Sequence, residues 1–128
     1  MADRPFTLTG DPRVEAGMQA LLRDITAAVV AELAPAAVVL SGSFARGEGG
    51  AYLSGQEIQA TSDIDLIAVY RGPDSVVRAA LARRTPRRLA KKLSRQFPRA
   101  RLDLTTRPAI LLRWPATTLD HHELLRTA

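Results

Sequence analysis

The first long pattern in the chain is helical. Val14, Met18, Leu21, Leu22, Ile25, Val29 and Leu33 recur at intervals that share one face of an α-helix. Asp11-Pro12 supplies an N-cap and a first helical position, and Pro35 stops the run. Ala36 to Leu40 is short, apolar and partly β-branched, and predicts a buried strand. Ser41 to Gly50 is a glycine-rich turn, with a short helix starting near Ser43. Ala51 to Thr61 is polar and predicts an exposed loop or hairpin.

Ile64 to Tyr70 is apolar on both parities after Asp65, as in a central strand covered on both faces. Arg71-Gly72-Pro73 ends it, and Asp74 caps a helix to about Arg83. Thr85-Pro86 starts a second helix that runs to Phe97. Leu89, Leu93 and Phe97 form its buried stripe, with Arg84, Arg87, Arg88, Lys91, Lys92 and Arg95 elsewhere. Arg101 to Thr105 alternates, with Leu102 and Leu104 on one face and Asp103 on the other. Ile110 to Trp114 reads as a further strand or an irregular run. Thr118 to Ala128 reads as a helix with Leu119, Leu124 and Leu125 on one side. This order predicts an α/β (α+β) fold: a mixed sheet of three to five strands with helices packed on it. The 128 residues suit a single domain, and their end without a C-cap glycine reads as the N-terminal part of a longer protein.

Composition narrows the function classes. There is no cysteine, so disulfides and thiolate metal sites are excluded. No apolar run approaches the ~18 residues of a membrane span. Met1 to Phe6 lacks the apolar core of a signal peptide, so a cytoplasmic protein without a membrane partner is expected. The net charge of +5 lies mostly between Arg71 and Arg107. Such a surface attracts polyanions, and it also keeps proteins soluble. The basic run Arg83 to Arg95 lacks interleaved aromatics, so a solvated helix face is its default. His121-His122-Glu123 invites a metal reading, but adjacent histidines point to different sides of a helix. Trp114 fits core or interface packing better than base stacking.

Two stretches carry chemistry. In LSGSFARGEGG, Gly42 to Gly47 has the G-x-x-x-x-G spacing of a phosphate-binding P-loop. Glu48 and Gly49 then stand where that motif needs Lys and Ser or Thr, and a glutamate there repels phosphate. The P-loop is rejected, yet a loop feeding a helix start still suits an anion. Gly42 admits a close approach, Ser43 offers a hydroxyl and an amide, and Arg46 lies one turn on. An ordinary strand-to-helix turn accounts for the same residues. In TSDIDLIAVY, Asp63 and Asp65 are two apart on a strand and project to one side. Their repulsion is relieved by a proton, a basic partner or a divalent cation. A capping box over Ser62 to Asp65, or a solvated strand end, accounts for them too. If the strands bearing Ser43, the Asp63/Asp65 pair and Asp103 are neighbours, three carboxylates and an anion-binding turn converge.

GSFARGE followed by SDIDL resembles the signature of the DNA polymerase beta-type nucleotidyltransferase superfamily. Gly42, Ser43, Arg46 and Gly47 match its first block, Asp63 and Asp65 its aspartate pair, and Asp103 in RLDLT its third acidic position. The resemblance covers about Val38 to Thr105, and the small size resembles the minimal nucleotidyltransferases and the catalytic domains of antibiotic nucleotidyltransferases. The separation of Gly42 from Asp63 is longer than in compact members, so Glu48 to Ala60 reads as an insertion beside the site. The resemblance implies that a nucleoside monophosphate passes from a nucleoside triphosphate, in the first instance ATP, to an acceptor hydroxyl. It implies two magnesium ions, replaceable by manganese, on Asp63, Asp65 and Asp103, with Gly42, Ser43 and Arg46 on the triphosphate. The acceptor is a small molecule, a protein or an RNA. One variant is an antitoxin that modifies a helical, toxin-like protein partner. The alternative is a non-catalytic nucleotide- or nucleic-acid-binding module of the same fold.

Overall fold

The computed structural model describes residues 5–81, 85–98, 100–108 and 124–126. Helix α1 (Pro12–Leu33) starts and stops where its punctuation predicts. The Asp11 side chain accepts from the Arg13 amide at 2.9 Å, and Ala34 ends the helix in the left-handed region ahead of Pro35. The seven apolar positions of its stripe are all buried, joined by Thr26. Upstream, the Phe6 and Thr7 amides both donate to the Glu15 carboxylate, which ties the leading segment to the first turn of α1.

Strand β1 (Ala37–Ser41) leads directly into the short helix α2 (Gly42–Arg46). A two-stranded hairpin, β2 (Ala51–Ser54) and β3 (Glu57–Ala60), then intervenes before β4 (Ile64–Tyr70). The expected hairpin is present, but it is not simply exposed. Ala51 and Ile58 are buried, because Ile58 packs against Gly17 of α1, where a Cβ would stand 3.2 Å from the Ile58 Cβ. The hairpin is therefore a packed element. Helices α3 (Ser75–Leu81) and α4 (Thr85–Gln96) follow, then β5 (Leu102–Pro108). β5 runs on past the predicted Thr105. Thr106 is buried at no cost to its hydroxyl, which donates to the Ala79 carbonyl at 3.0 Å.

The main sheet has the order β5-β4-β1-β6, with β6 formed by Leu124–Arg126. β4 is antiparallel to β1 and parallel to β5, and β6 is parallel to β1. The sheet is mixed and four-stranded, and the fold is α+β as expected. The predicted helix over Thr118 to Ala128 is corrected at Leu124–Arg126, which pairs with Val38–Leu40 as an edge strand. Partner carbonyls and amides on β1, distant in sequence, decide that segment. The readings at Ile110, Trp114, Leu119, His121, His122 and Glu123 lie outside the described residues.

One core lies between the sheet and the helices α1 and α4. Val38 and Leu40 of β1, Ile64, Leu66 and Ala68 of β4, and Leu104 of β5 meet the α1 stripe and Leu89 and Leu93 of α4. Phe97 packs against this core partly buried. The Tyr70 hydroxyl donates to the Leu33 carbonyl at 2.8 Å, joining the ends of β4 and α1. Because strand side chains alternate, the other parity faces away from this core. Asp65 belongs to that second face. Among the described residues no helix is long and apolar enough to cross a membrane.

Candidate active site

The turn from β1 into α2 requires glycine. Gly42 has φ +73°, a conformation that costs an L-residue ~1–2 kcal/mol. It also has no space, because an added Cβ would overlap the Asp65 carboxylate at Oδ2. The first glycine of the loop is thus the immediate neighbour of the second aspartate. Gly47 closes α2 with φ +78°, and the Glu48 amide donates to the Ser43 carbonyl at 2.8 Å.

Strand pairing places the acids. Asp65 is opposite Ser41 on antiparallel β1 and opposite Asp103 on parallel β5. Adjacent strands lie ~4.8 Å apart, so Ser41, Asp65 and Asp103 form one row across three strands. The Ser41 hydroxyl donates to the Asp65 carbonyl at 3.4 Å. Asp63 sits one residue before β4, at the foot of the hairpin. That foot is clamped: the Gly50 amide donates to Ser62 Oγ at 2.8 Å, and the Thr61 and Ser62 amides donate back to the Gly50 carbonyl at 2.8 and 3.2 Å.

The half-buried Asp65 carboxyl is held above its ordinary pKa, first by burial and then by the negative charges of Asp103 and Asp63. Arg46 acts in the opposite direction. Among the described residues, none of the three aspartates is in a salt bridge. Arg46 instead pairs through Nε with Glu48 at 3.2 Å, both side chains being more than half exposed. The structure therefore sets Gly42 against Asp65 and Asp103 opposite it, with the charge of Asp63 acting on the same carboxyl, Ser43 next in the turn and Arg46 at the margin. Ser41, Gly50 and Ser62 also shape this place and were not singled out for it in the sequence. Ser62 stood only as part of an alternative capping box, although it adjoins Asp63.

The donors suit a hard divalent cation, since all are carboxylate oxygens, and the repulsion at Asp65 is what such a cation relieves. Among the described residues no group of three or more His, Cys, Asp or Glu side chains is drawn together closely enough to hold a metal. No family model, no curated protein and no solved structure matches the chain.

Proposed function

We propose that the chain is a magnesium-dependent nucleotidyltransferase of the DNA polymerase beta type. The observation that carries this reading is the register that sets Asp65 opposite Asp103 while the Gly42 turn abuts Asp65. The resemblance of GSFARGE and SDIDL to that superfamily supports it from the sequence.

In this reading Gly42 and Ser43 hold the triphosphate of ATP on the β1 side of the row, where Arg46 adds positive charge. Asp63, Asp65 and Asp103 hold magnesium, which when bound neutralises triphosphate charge and makes the acceptor hydroxyl more acidic. Asp103, at the β5 end, receives the acceptor and takes its proton. The acceptor oxygen forms a bond to the α-phosphorus, the bond between that phosphorus and the β-bridging oxygen breaks, and pyrophosphate leaves. The chain's contribution is positioning and charge, with no covalent enzyme intermediate.

The rival reading is a module of the same fold that binds nucleotide or nucleic acid and transfers nothing. Incubation with α-labelled nucleoside triphosphates, magnesium and a cell extract separates the two. Transfer predicts label in a small molecule, a protein or an RNA, together with pyrophosphate. Label that stays in the nucleotide overturns it.

A further inference from the structure

β5 is the last strand on its side of the main sheet, and among the described residues no strand pairs with its outer edge. A cavity of about 470 Å³ is lined by every residue from Asp103 to Pro108. These residues alternate between the two faces, so the backbone edge itself opens onto the cavity. The Ile64 amide donates to the Arg101 carbonyl at 2.8 Å. In the parallel register this turns the backbone groups of Arg101, Asp103, Thr105 and Arg107 towards β4, and those of Leu102, Leu104, Thr106 and Pro108 outward. Accordingly the Thr106 carbonyl accepts from the Arg107 guanidinium at 3.0 Å. Val76 and Ala80 of α3, both exposed, flank the edge. An open edge of this kind is a template for another strand.

The edge is complementary to itself. Charges on edge strands commonly keep a second chain away. Here Asp103 and Arg107 are both exposed, opposite in sign and equally spaced about Thr105. Antiparallel pairing of two copies about a twofold axis at Thr105 sets Asp103 of each opposite Arg107 of the other. These are non-hydrogen-bonded positions, where facing Cα atoms stand ~4.5 Å apart and side chains are closest. The outward backbone groups match as well. Leu104 and Thr106 exchange both hydrogen bonds across the axis, and Pro108, which has no amide, falls opposite Leu102 at the end of the ladder. An axis at Asp103 or at Arg107 would instead face like charges.

We propose that two copies of this chain pair through β5, antiparallel about Thr105, into one sheet continuous across both. The second copy thereby contributes its Arg107 to the row of acids, beside Asp103. A strand of another protein would meet the same backbone groups, but the twofold match of Asp103 to Arg107 selects a second copy. The pairing rests on strand register and charge. Only the use of an arginine beside Asp103 rests on the nucleotidyltransferase reading.

Association of the full chain is measured by sedimentation equilibrium in chelator, without nucleotide, so the outcome is independent of transfer. Wild type is expected to form a dimer. Arg107→Asp and Asp103→Arg each face like charges twice in that dimer, and each is expected to weaken it about tenfold or more. The double swap Asp103→Arg/Arg107→Asp restores opposite signs and is expected to recover most of the affinity. The chain has no cysteine, so Thr105→Cys places a single thiol on the axis, at a Cα separation that a disulfide spans. It is expected to oxidise to a covalent dimer. Asp103→Cys, whose two copies stand roughly 13 Å apart along the strands, is not. A wild type that stays monomeric at every concentration overturns the pairing, as does a dimer that both single variants leave intact. A double swap that melts cooperatively yet pairs as weakly as the single variants also overturns it. Equal cross-linking at the two cysteine positions does the same, and this arm decides the matter where the double swap does not fold. Pairing without any pyrophosphate release leaves the interface standing and removes the transferase reading. Release by a strict monomer does the reverse.

Discussion

Asp103 stands directly opposite Asp65 in the parallel register of β5 on β4. Two carboxylates in facing positions of neighbouring strands repel, and a chain under selection for stability alone gains nothing from them. Asp63 adds a third charge beside them. The local cost of this arrangement is the physical reason to look for chemistry there.

Burial of the Asp65 carboxyl, together with the repulsion from Asp103 and Asp63, makes the stability of the metal-free protein depend on pH. Folding raises the Asp65 pKa, so the native state holds that proton more tightly than the unfolded chain. The resulting stabilisation is fully present below the unfolded value of about 3.9 and is lost as pH rises through the folded value. Thermal melts in chelator are expected to show stability falling across this window, with a flatter profile for Asp65→Asn. A variant profile as steep as that of wild type contradicts the assignment of the pH dependence to Asp65.

Magnesium is expected to reverse the same effect at neutral pH. It raises the melting temperature of wild type, by linkage to the folded state, and leaves Asp65→Asn nearly unchanged. An equal rise in both proteins places the cation elsewhere.

Gly42→Ala tests the turn. The left-handed backbone alone costs ~1–2 kcal/mol. The new Cβ also displaces the Asp65 carboxylate, so activity is expected to fall far more than stability does. Denaturant melts and transfer rates measured together separate the two losses. A loss of activity no larger than the unfolded fraction accounts for would remove the link between the turn and the acid.

Ser62→Ala tests the clamp at the foot of the hairpin. It leaves the Gly50 amide without its acceptor, a cost of about 1–3 kcal/mol. Because Asp63 is the next residue, magnesium affinity is expected to weaken as well. Ser62→Thr, which keeps the hydroxyl, is expected to recover most of it. Titration calorimetry on the three proteins reads this directly.

Local signals in the chain were strong enough to fix α1 and β4. Asp11-Pro12 and Pro35 bracket the first, and β4 spans Ile64–Tyr70 as its apolar run predicts. The two-residue spacing of Asp63 and Asp65 and the alternation around Asp103 made the acids legible. Their meeting was not, because it depends on β4 and β5 being neighbours in one particular register, and register is a non-local property. β6 was missed for a related reason. Leu124–Arg126 is too short to show a period, and its pairing with β1 rather than its own pattern makes it a strand.

The account turns on whether the three aspartates act together on a nucleotide. The most direct measurement is magnesium-dependent pyrophosphate release from ATP, with an acceptor-containing extract, by wild type and by Asp63→Ala, Asp65→Ala and Asp103→Ala. The account predicts release by wild type, none in chelator, and a loss of roughly a hundredfold or more in each variant while its melting curve stays cooperative. Release that survives unchanged in any one of the three variants contradicts it.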